Sequence, residues 1–322
     1  MSITKPRAAQ TRRPTRPARP AGRRSGRTRR KDNATAYLML APMVGLLGVF
    51  VFWPLVYSVY LSLFEINFYK GSTFVGMKFY KYVLADPQFW SSVGKGLYFA
   101  ALVVPSGLVV ALLLASFIKT LGRRSAAFVK TVVYLPAVIS VVIASLLFRF
   151  MYQDEGVVNW LLGLFGVEPV GWLENADTAL PAIAVPGLWL SFGLTTLILL
   201  AALLDIPESY YESAQLDGAG FFRCTWSITL PLLKNILLYL TVTGLVVPAT
   251  GIQQLELPLI MTEGGPVGST TTPNLFIFFS FRDATPYATS YSLTAALLLF
   301  VVLGAISLLI FRFLKSEKSI DG

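Results

Sequence analysis

Covalent chemistry has few carriers in this sequence. There is no histidine, and Cys224 is the only cysteine. Ser–His–Asp arrangements, HExxH zinc sites, imidazole acid–base work and Cys-rich metal clusters are therefore excluded. No catalytic residue and no metal ligand is assigned. Gly94-Lys95 is followed by Gly96 and lacks the upstream glycine of GxxxxGK[ST]. The chain thus has no Walker-type phosphate cradle and cannot hydrolyse ATP alone. The residues whose types and spacing do carry information are Glu212-Ser213-Ala214, Asp217-Gly218 and, after nine intervening residues, Ile228-Thr229-Leu230-Pro231. Their chemistry is mechanical: charged, small and turn-forming side chains set along two short helices.

Those helices are readable locally. Ile206-Pro207-Glu208 starts one, because proline suits a first turn and an acid suits the positive N-terminal end. Tyr211, Ala214 and Gln215 share a face, while Glu208 and Glu212 stack at i, i+4 on another. Asp217-Gly218 reads as a stop and a turn, glycine supplying positive φ without steric cost. A second apolar run follows from Ala219 to Ile228, and Leu230-Pro231 is predicted to end it.

The elements that must position this segment cross a membrane. Hydrophobic residues make up 55% of the chain and charged residues only 14%, against a usual charged share of about 25%. So few charges cannot cover a water-facing surface. Six windows contain no Asp, Glu, Lys or Arg: 33–64, 96–118, 131–148, 178–204, 235–255 and 284–311. A helix needs about 20 residues, rising about 1.5 Å each, to cross a hydrocarbon layer of about 30 Å. The short 131–148 window borrows the stems of Lys130 and Arg149, which snorkel outward. A seventh stretch, 264–281, opens with Gly264, Gly265, Pro266 and Gly268, and its apolar run covers only Leu275 to Phe281. It is read as a loop. The first window is too long for a secretory signal and no small-x-small cleavage site follows it, so it stays as a helix. Pro105, Pro136, Pro186 and Pro248 lie in or near spans, where neighbouring helices can satisfy the freed carbonyls.

The net charge of +10 is unevenly spread. Residues 1–34 hold twelve Lys/Arg and one acid, Asp32, leaving the rest of the chain nearly neutral. A tail so poor in apolar side chains cannot offset chain entropy and is expected to be disordered. It is read as a cytoplasmic topology anchor rather than a nucleic-acid site. With the N-terminus inside, the tail, 119–130, 205–234 and 312–322 carry twenty-one of the twenty-seven Lys/Arg. The external segment 150–177 then carries Asp154, Glu155, Glu168, Glu174 and Asp177 and no base. The positive-inside rule gives an all-α integral membrane protein with six transmembrane helices and both termini cytoplasmic. The expected order is a basic tail (1–34), a first helix with an external loop (35–88), a transmembrane domain (89–315) and a short cytoplasmic tail (316–322). The domain's spans fall at about 96–118, 129–150, 179–204, 235–256 and 289–312, with the cytoplasmic loop 205–234 between them.

Uncharged polar residues inside spans are candidates for a solute path. Thr241, Thr243, Thr250, Gln253 and Gln254 cluster in span five, and Ser191, Thr195 and Thr196 in span four. Polar groups are costly there and tend to face the bundle interior. Hydroxyls and amides suit a polyhydroxyl solute. Each of them singly is as well explained by interhelical hydrogen bonding.

The 212–231 pattern resembles the permease subunits of binding-protein-dependent ABC importers, which carry EAA, three residues, G, nine residues and then I-x-L-P. Six of seven defining positions match, Ser213 replacing the second. At about one in twenty per position, chance gives a match on the order of 10⁻⁸. Over about 35–315 the chain is similar to the first permease of the maltose and glycerol-phosphate importer group. The resemblance runs through Ala41-Pro42, Trp53-Pro54, Phe74-Val75-Gly76, Asp86-Pro87-Gln88-Phe89-Trp90, Tyr134-Leu135-Pro136 and Thr262-Glu263-Gly264-Gly265-Pro266. Glu263 stands where the family usually has glycine, and Gln254-Leu255-Glu256 departs from its usual Phe and Asp. Both departures lie on the translocation side.

The resemblance implies a type I ABC importer permease fold in the cell membrane, carrying a sugar, an oligosaccharide or a glycerol-phosphate. It implies a second permease subunit, two ATP-binding subunits that hold the ATP and Mg, and an extracytoplasmic solute-binding protein. It implies no cofactor on this chain and no nucleic acid. It also implies that 208–230 is a coupling helix pair seated in a groove of the ATPase. Glu212 would face a base or backbone donor there, Ala214 would allow close approach and Gly218 would set the angle. A stand-alone secondary transporter or channel is the alternative. It would need inverted repeats or intramembrane charges, and the six windows hold no charge. A membrane-embedded enzyme would need a histidine, a cysteine pair or a buried acid cluster.

Overall fold

A chain crossing a bilayer must satisfy every backbone N–H and C=O internally, which forces its long apolar runs into helices. The computed structural model describes residues 26–67, 71–250 and 253–315. The chain divides into two compact units, the first ending at Tyr57 and the second beginning at Ser58.

The first unit contains α1 (Gly26–Leu47), a widened π turn (Gly48–Phe52) and the start of α2 (Trp53–Leu61). The helix reaches back to Gly26, into the stretch expected to belong to the tail. Residues 1–25 and 316–322 lie outside the described residues, so the expected disorder of the basic tail concerns a part not described. The π turn sits directly before Trp53-Pro54. Proline has no N–H and its ring crowds the carbonyl four residues back; an extra residue in the turn makes the room.

The second unit begins with a short antiparallel ladder, β1 (Phe64–Glu65) against β2 (Thr73–Phe74), and then α3 (Lys78–Ala85) and α4 (Pro87–Thr120). Asp86 caps α4, accepting from Gln88 N at 2.8 Å and also from the Tyr291 hydroxyl. There follow α5 (Arg123–Tyr134), a 3-10 turn (Leu135–Val138), α6 (Val141–Met151), α7 (Val157–Gly163) and α8 (Ala176–Leu204). Next come α9 (Glu208–Leu216), α10 (Phe221–Cys224), a second π turn (Thr225–Thr229) and α11 (Leu230–Thr250). The last helices are α12 (Gln253–Met261), α13 (Pro273–Arg282) and α14 (Ala288–Lys315).

Among the described residues, five helical stretches are long and apolar enough to cross a membrane: Tyr37–Leu61, Pro87–Thr120, Ala176–Leu204, Phe221–Gly244 and Ala288–Arg312. Arg123–Val138 and Val141–Met151, bent by 95°, make a sixth if taken as one broken span. Each overlaps one of the six charge-free windows, Phe221–Gly244 only over its last ten residues. The bend lies where Ile139 and Ser140 turn extended, each with ψ near 137°, just after Pro136.

At the centre α4 packs on α8. Ala111 and Ala115 of α4 are fully buried. A Cβ on Gly193 of α8 would lie 2.5 Å from the Val133 carbonyl oxygen, so α8 can touch the end of α5 only through a glycine. Small residues at such crossings matter because lipid tails are as apolar as the side chains, leaving close packing to hold helices together.

Three expectations need correction. Leu230-Pro231 does not end the helix that precedes it; the π turn Thr225–Thr229 absorbs the proline, as Gly48–Phe52 does before Pro54, and the helix runs on into α11. Span five consequently begins well before residue 235. The 264–281 stretch is not loop throughout, because α13 occupies Pro273–Arg282. Its start carries a readable signal, a threonine before a proline at the first helical position. Leu275 and Phe276 are buried, so packing holds a helix too short to cross a bilayer.

Candidate functional site

The 205–231 segment folds as its local chemistry dictates. Pro207 precedes α9, Glu208 sits in its first turn, and Asp217 closes it. Gly218 takes φ +77°; its N–H donates to Gln215 O at 3.0 Å, and that of Ala219 to Ala214 O at 2.9 Å. This pair of closing bonds needs a left-handed residue after the helix, which glycine adopts without a Cβ clash. Gly220 then opens the second helical arm.

Few contacts hold the first arm in place. The Tyr211 hydroxyl and Thr229 Oγ1 lie 3.0 Å apart, joining one arm to the other. Lys119, in the last turn of α4, places its Nζ 4.4 Å from the Tyr211 ring centroid and 3.6 Å from Glu208 Oε2. With the Glu208 side chain 71% exposed, solvent screening limits that ion pair to at most about 1 kcal/mol. The ring contact adds about as much. A cavity of about 410 Å³ lies beside this cluster, bounded by Lys119, Tyr211, Cys224 and Thr229 among others.

The rest of the segment faces outward. Leu216, Phe222 and Trp226 are 90%, 77% and 72% exposed. Glu212, Ser213, Asp217, Gly218 and Pro231 are exposed, and Ala214, Ile228 and Leu230 half-buried. The Ser213 hydroxyl donates back to Ser209 O at 2.8 Å. Lys119 and Thr229 have no assigned role in the sequence pattern. Lys119 is recognisable only as a base closing the previous span, where a cation suits the negative helix end.

Of the span residues, the described ones bond their own helices. Thr241 donates to Leu237 O and Thr243 to Tyr239 O, each at 2.7 Å, so both hydroxyls serve their own helix. Thr250, Gln253 and Gln254 have side chains outside the described residues. In α8, Ser191, Thr195 and Thr196 likewise bond carbonyls three or four residues back.

After α12 the chain makes a self-bonded turn. Thr262 and Thr270 share a hydrogen bond of 2.6 Å, and Thr271 Oγ1 donates to Gly264 O at 3.2 Å. Glu263 sits at φ +53°, a conformation that a side-chain-bearing residue adopts at a cost of order 1 kcal/mol or more.

Residues 104–318 match the family described as "Binding-protein-dependent transport system inner membrane component". The chain belongs to this family of transport permeases, multi-pass proteins of the inner membrane. Among curated relatives, it is 32% identical over 254 residues to the trehalose/maltose transport system permease protein MalF of Thermococcus litoralis, covering 77% of this chain and 83% of that one. It is 30% identical over 299 residues to the lactose transport system permease protein LacF of Rhizobium radiobacter, covering 90% and 97%. Among solved structures, a chain of a bacterial ABC transporter that imports the acidic polysaccharide alginate superposes with a TM-score of 0.71 at 24% identity, covering 91% of this chain and 99% of that one. The fold is that of an ABC importer permease.

Proposed function

We propose that this chain is one of two permease subunits of an ATP-driven importer for a carbohydrate-type solute. In this reading it forms half of the translocation path and is driven by a separate ATPase through the 205–234 loop. The observation that carries the coupling role is the helix, glycine turn and helix at 208–229, with large apolar side chains left exposed. Leu216, Phe222 and Trp226 at one membrane face are the kind of surface a partner subunit covers. The sugar names of the relatives support the solute class.

In this reading the N- and C-termini and the 205–234 loop are cytoplasmic, the domain division follows the expected order, and 150–177 faces outward. Two ATP-binding subunits hold ATP and Mg and supply the free energy. Their closure pushes the α9 arm, with Glu212 meeting a base or backbone donor, Ala214 allowing close approach and Gly218 fixing the angle. Lys119 hands the movement on to α4, because its amine grips Tyr211 and Glu208 together. The π turn before Pro231 passes it up α11 without a break, towards Thr241, Thr243, Thr250, Gln253 and Gln254 as path residues. An extracytoplasmic binding protein delivers the solute.

The test is uptake of labelled maltose, trehalose and lactose into proteoliposomes. With the second permease, the ATPase and the loaded binding protein present, uptake of at least one sugar is expected to require ATP. Equal uptake by this chain alone, without ATP, contradicts the reading.

A further inference from the structure

Near the start of α8, whose other end leads into the α9 loop, is a cavity of about 540 Å³, walled by the end of α6, the 170–175 loop and the end of α12. Its volume falls within the range of about 300–1,000 Å³ usual for small-molecule sites. We propose that this cavity is a subsite for a neutral saccharide, with the Trp172 ring as platform and Arg149, Asp154, Glu174 and Glu263 as its polar rim. Its outward orientation and its place on a solute route rest on the proposed function.

The platform is pre-organised by one buried side chain. Asn159, 3% exposed, spends its whole hydrogen-bonding capacity on the wall. Its Nδ2 donates to Gln153 O and Val170 O, each at 3.1 Å, and its Oδ1 accepts from Val170 N at 3.1 Å and Trp172 Nε1 at 3.0 Å. Beside Trp172, Tyr152 lines the same cavity with its ring centroid 6.0 Å away, and its hydroxyl donates to Ala182 O at 3.0 Å. A second layer such as Asn159 is what holds a recognition group in one orientation. The turn that places Asp154 closes only on Gly156, where a Cβ would lie 2.3 Å from Met151 O. Across the cavity Glu263 is held in its left-handed conformation.

The rim chemistry selects the ligand class. Among the described residues no ion pair involves Asp154, Glu174, Glu263 or Arg149, though Arg149 Nη1 donates to Ile260 O at 3.0 Å. Among the same residues the carboxylates are not gathered as a metal-binding group, which argues against a cation. Free carboxylates accept from sugar hydroxyls, the guanidinium donates to them, and an aromatic face covers the apolar face of a pyranose. Three carboxylates against one guanidinium repel an acidic sugar. The subsite therefore takes a neutral saccharide and rejects a uronate.

The test titrates the assembled transporter in nanodiscs, without binding protein, by isothermal titration calorimetry. Maltose, trehalose, lactose and an alginate pentasaccharide are the probes. A saturable change is expected with at least one neutral sugar and none with the alginate. Trp172→Phe and Asp154→Asn should each weaken it at least tenfold; Asp154 is exposed, so its variant tests the rim without disturbing Asn159. No saturable change with any neutral sugar, unaltered binding in both variants, or equal binding of alginate overturns the proposal. So does a saturable change that appears only once the binding protein is added back, since the face would then be a protein dock. ATP-driven uptake in the same preparation without sugar binding here leaves the proposed function standing and the subsite refuted. Binding without uptake does the reverse.

Discussion

The two polar ends of the second unit are built on opposite plans. The 152–175 wall is closed upon itself: Asn159 alone makes four bonds, all within the wall. The 205–229 segment is anchored only near its start, by Ile206, Tyr211 and Lys119, and leaves Leu216, Phe222 and Trp226 bare. A self-satisfied loop keeps its shape without help and can present a rigid surface. A loosely tied one with exposed apolar groups is completed by something else and can be moved by it. In the proposed function the first is the part that receives and the second the part that is pushed.

Substitutions can break that contrast at either end. The largest effect is expected from Gly218→Pro, because proline is locked near φ −65° and Gly218 sits at +77°. Uptake should fall more than tenfold, with assembly of the complex and its ATPase activity retained; lost coupling is read as ATP consumed per sugar moved. Asn159→Ala should act on the other end and by another route. It removes four hydrogen bonds from partners that are half-buried or exposed, so the loss is expected at about 1 kcal/mol per bond or less, and a lowered thermal unfolding midpoint of the purified complex would record it. Lys119→Met should reduce uptake severalfold without affecting stability, and Lys119→Arg, which keeps both contacts, should restore it. The smallest effect belongs to Ser213→Ala. Its hydroxyl bonds only its own helix, so uptake should stay within about twofold of the parent, since helix propensity changes by only about 0.5 kcal/mol.

Much of this plan is legible in the residues themselves. Each of the five candidate spans and the bent pair overlaps a charge-free window because a bilayer excludes charge, and Asp217-Gly218 announces its turn because only glycine takes that φ cheaply. What escapes is whatever depends on partners distant in sequence. Lys119 acquires a role only when α4 and α9 meet, and α13 is held by burial rather than by propensity. Pro231 reads as a stop because a proline removes one helical bond, yet a single widened turn removes the conflict. The hydroxyls of Thr241 and Thr243 read equally well as solute contacts or as helix bonds; each donates to its own helix and keeps its acceptor lone pairs. The Asn159 hub has no local signature at all, since its four bonds converge from residues up to thirteen positions away.

The most direct test of the coupling role uses a single cysteine. In a Cys224→Ser background, Leu216→Cys places a thiol at a position of the α9 arm that is 90% exposed. Treated with a short bis-maleimide in the assembled transporter, it is expected to cross-link to the ATP-binding subunit, with a yield that changes between nucleotide-free and ATP-bound states. A cross-link to the binding protein instead, or none to the ATPase in any nucleotide state, would contradict the account.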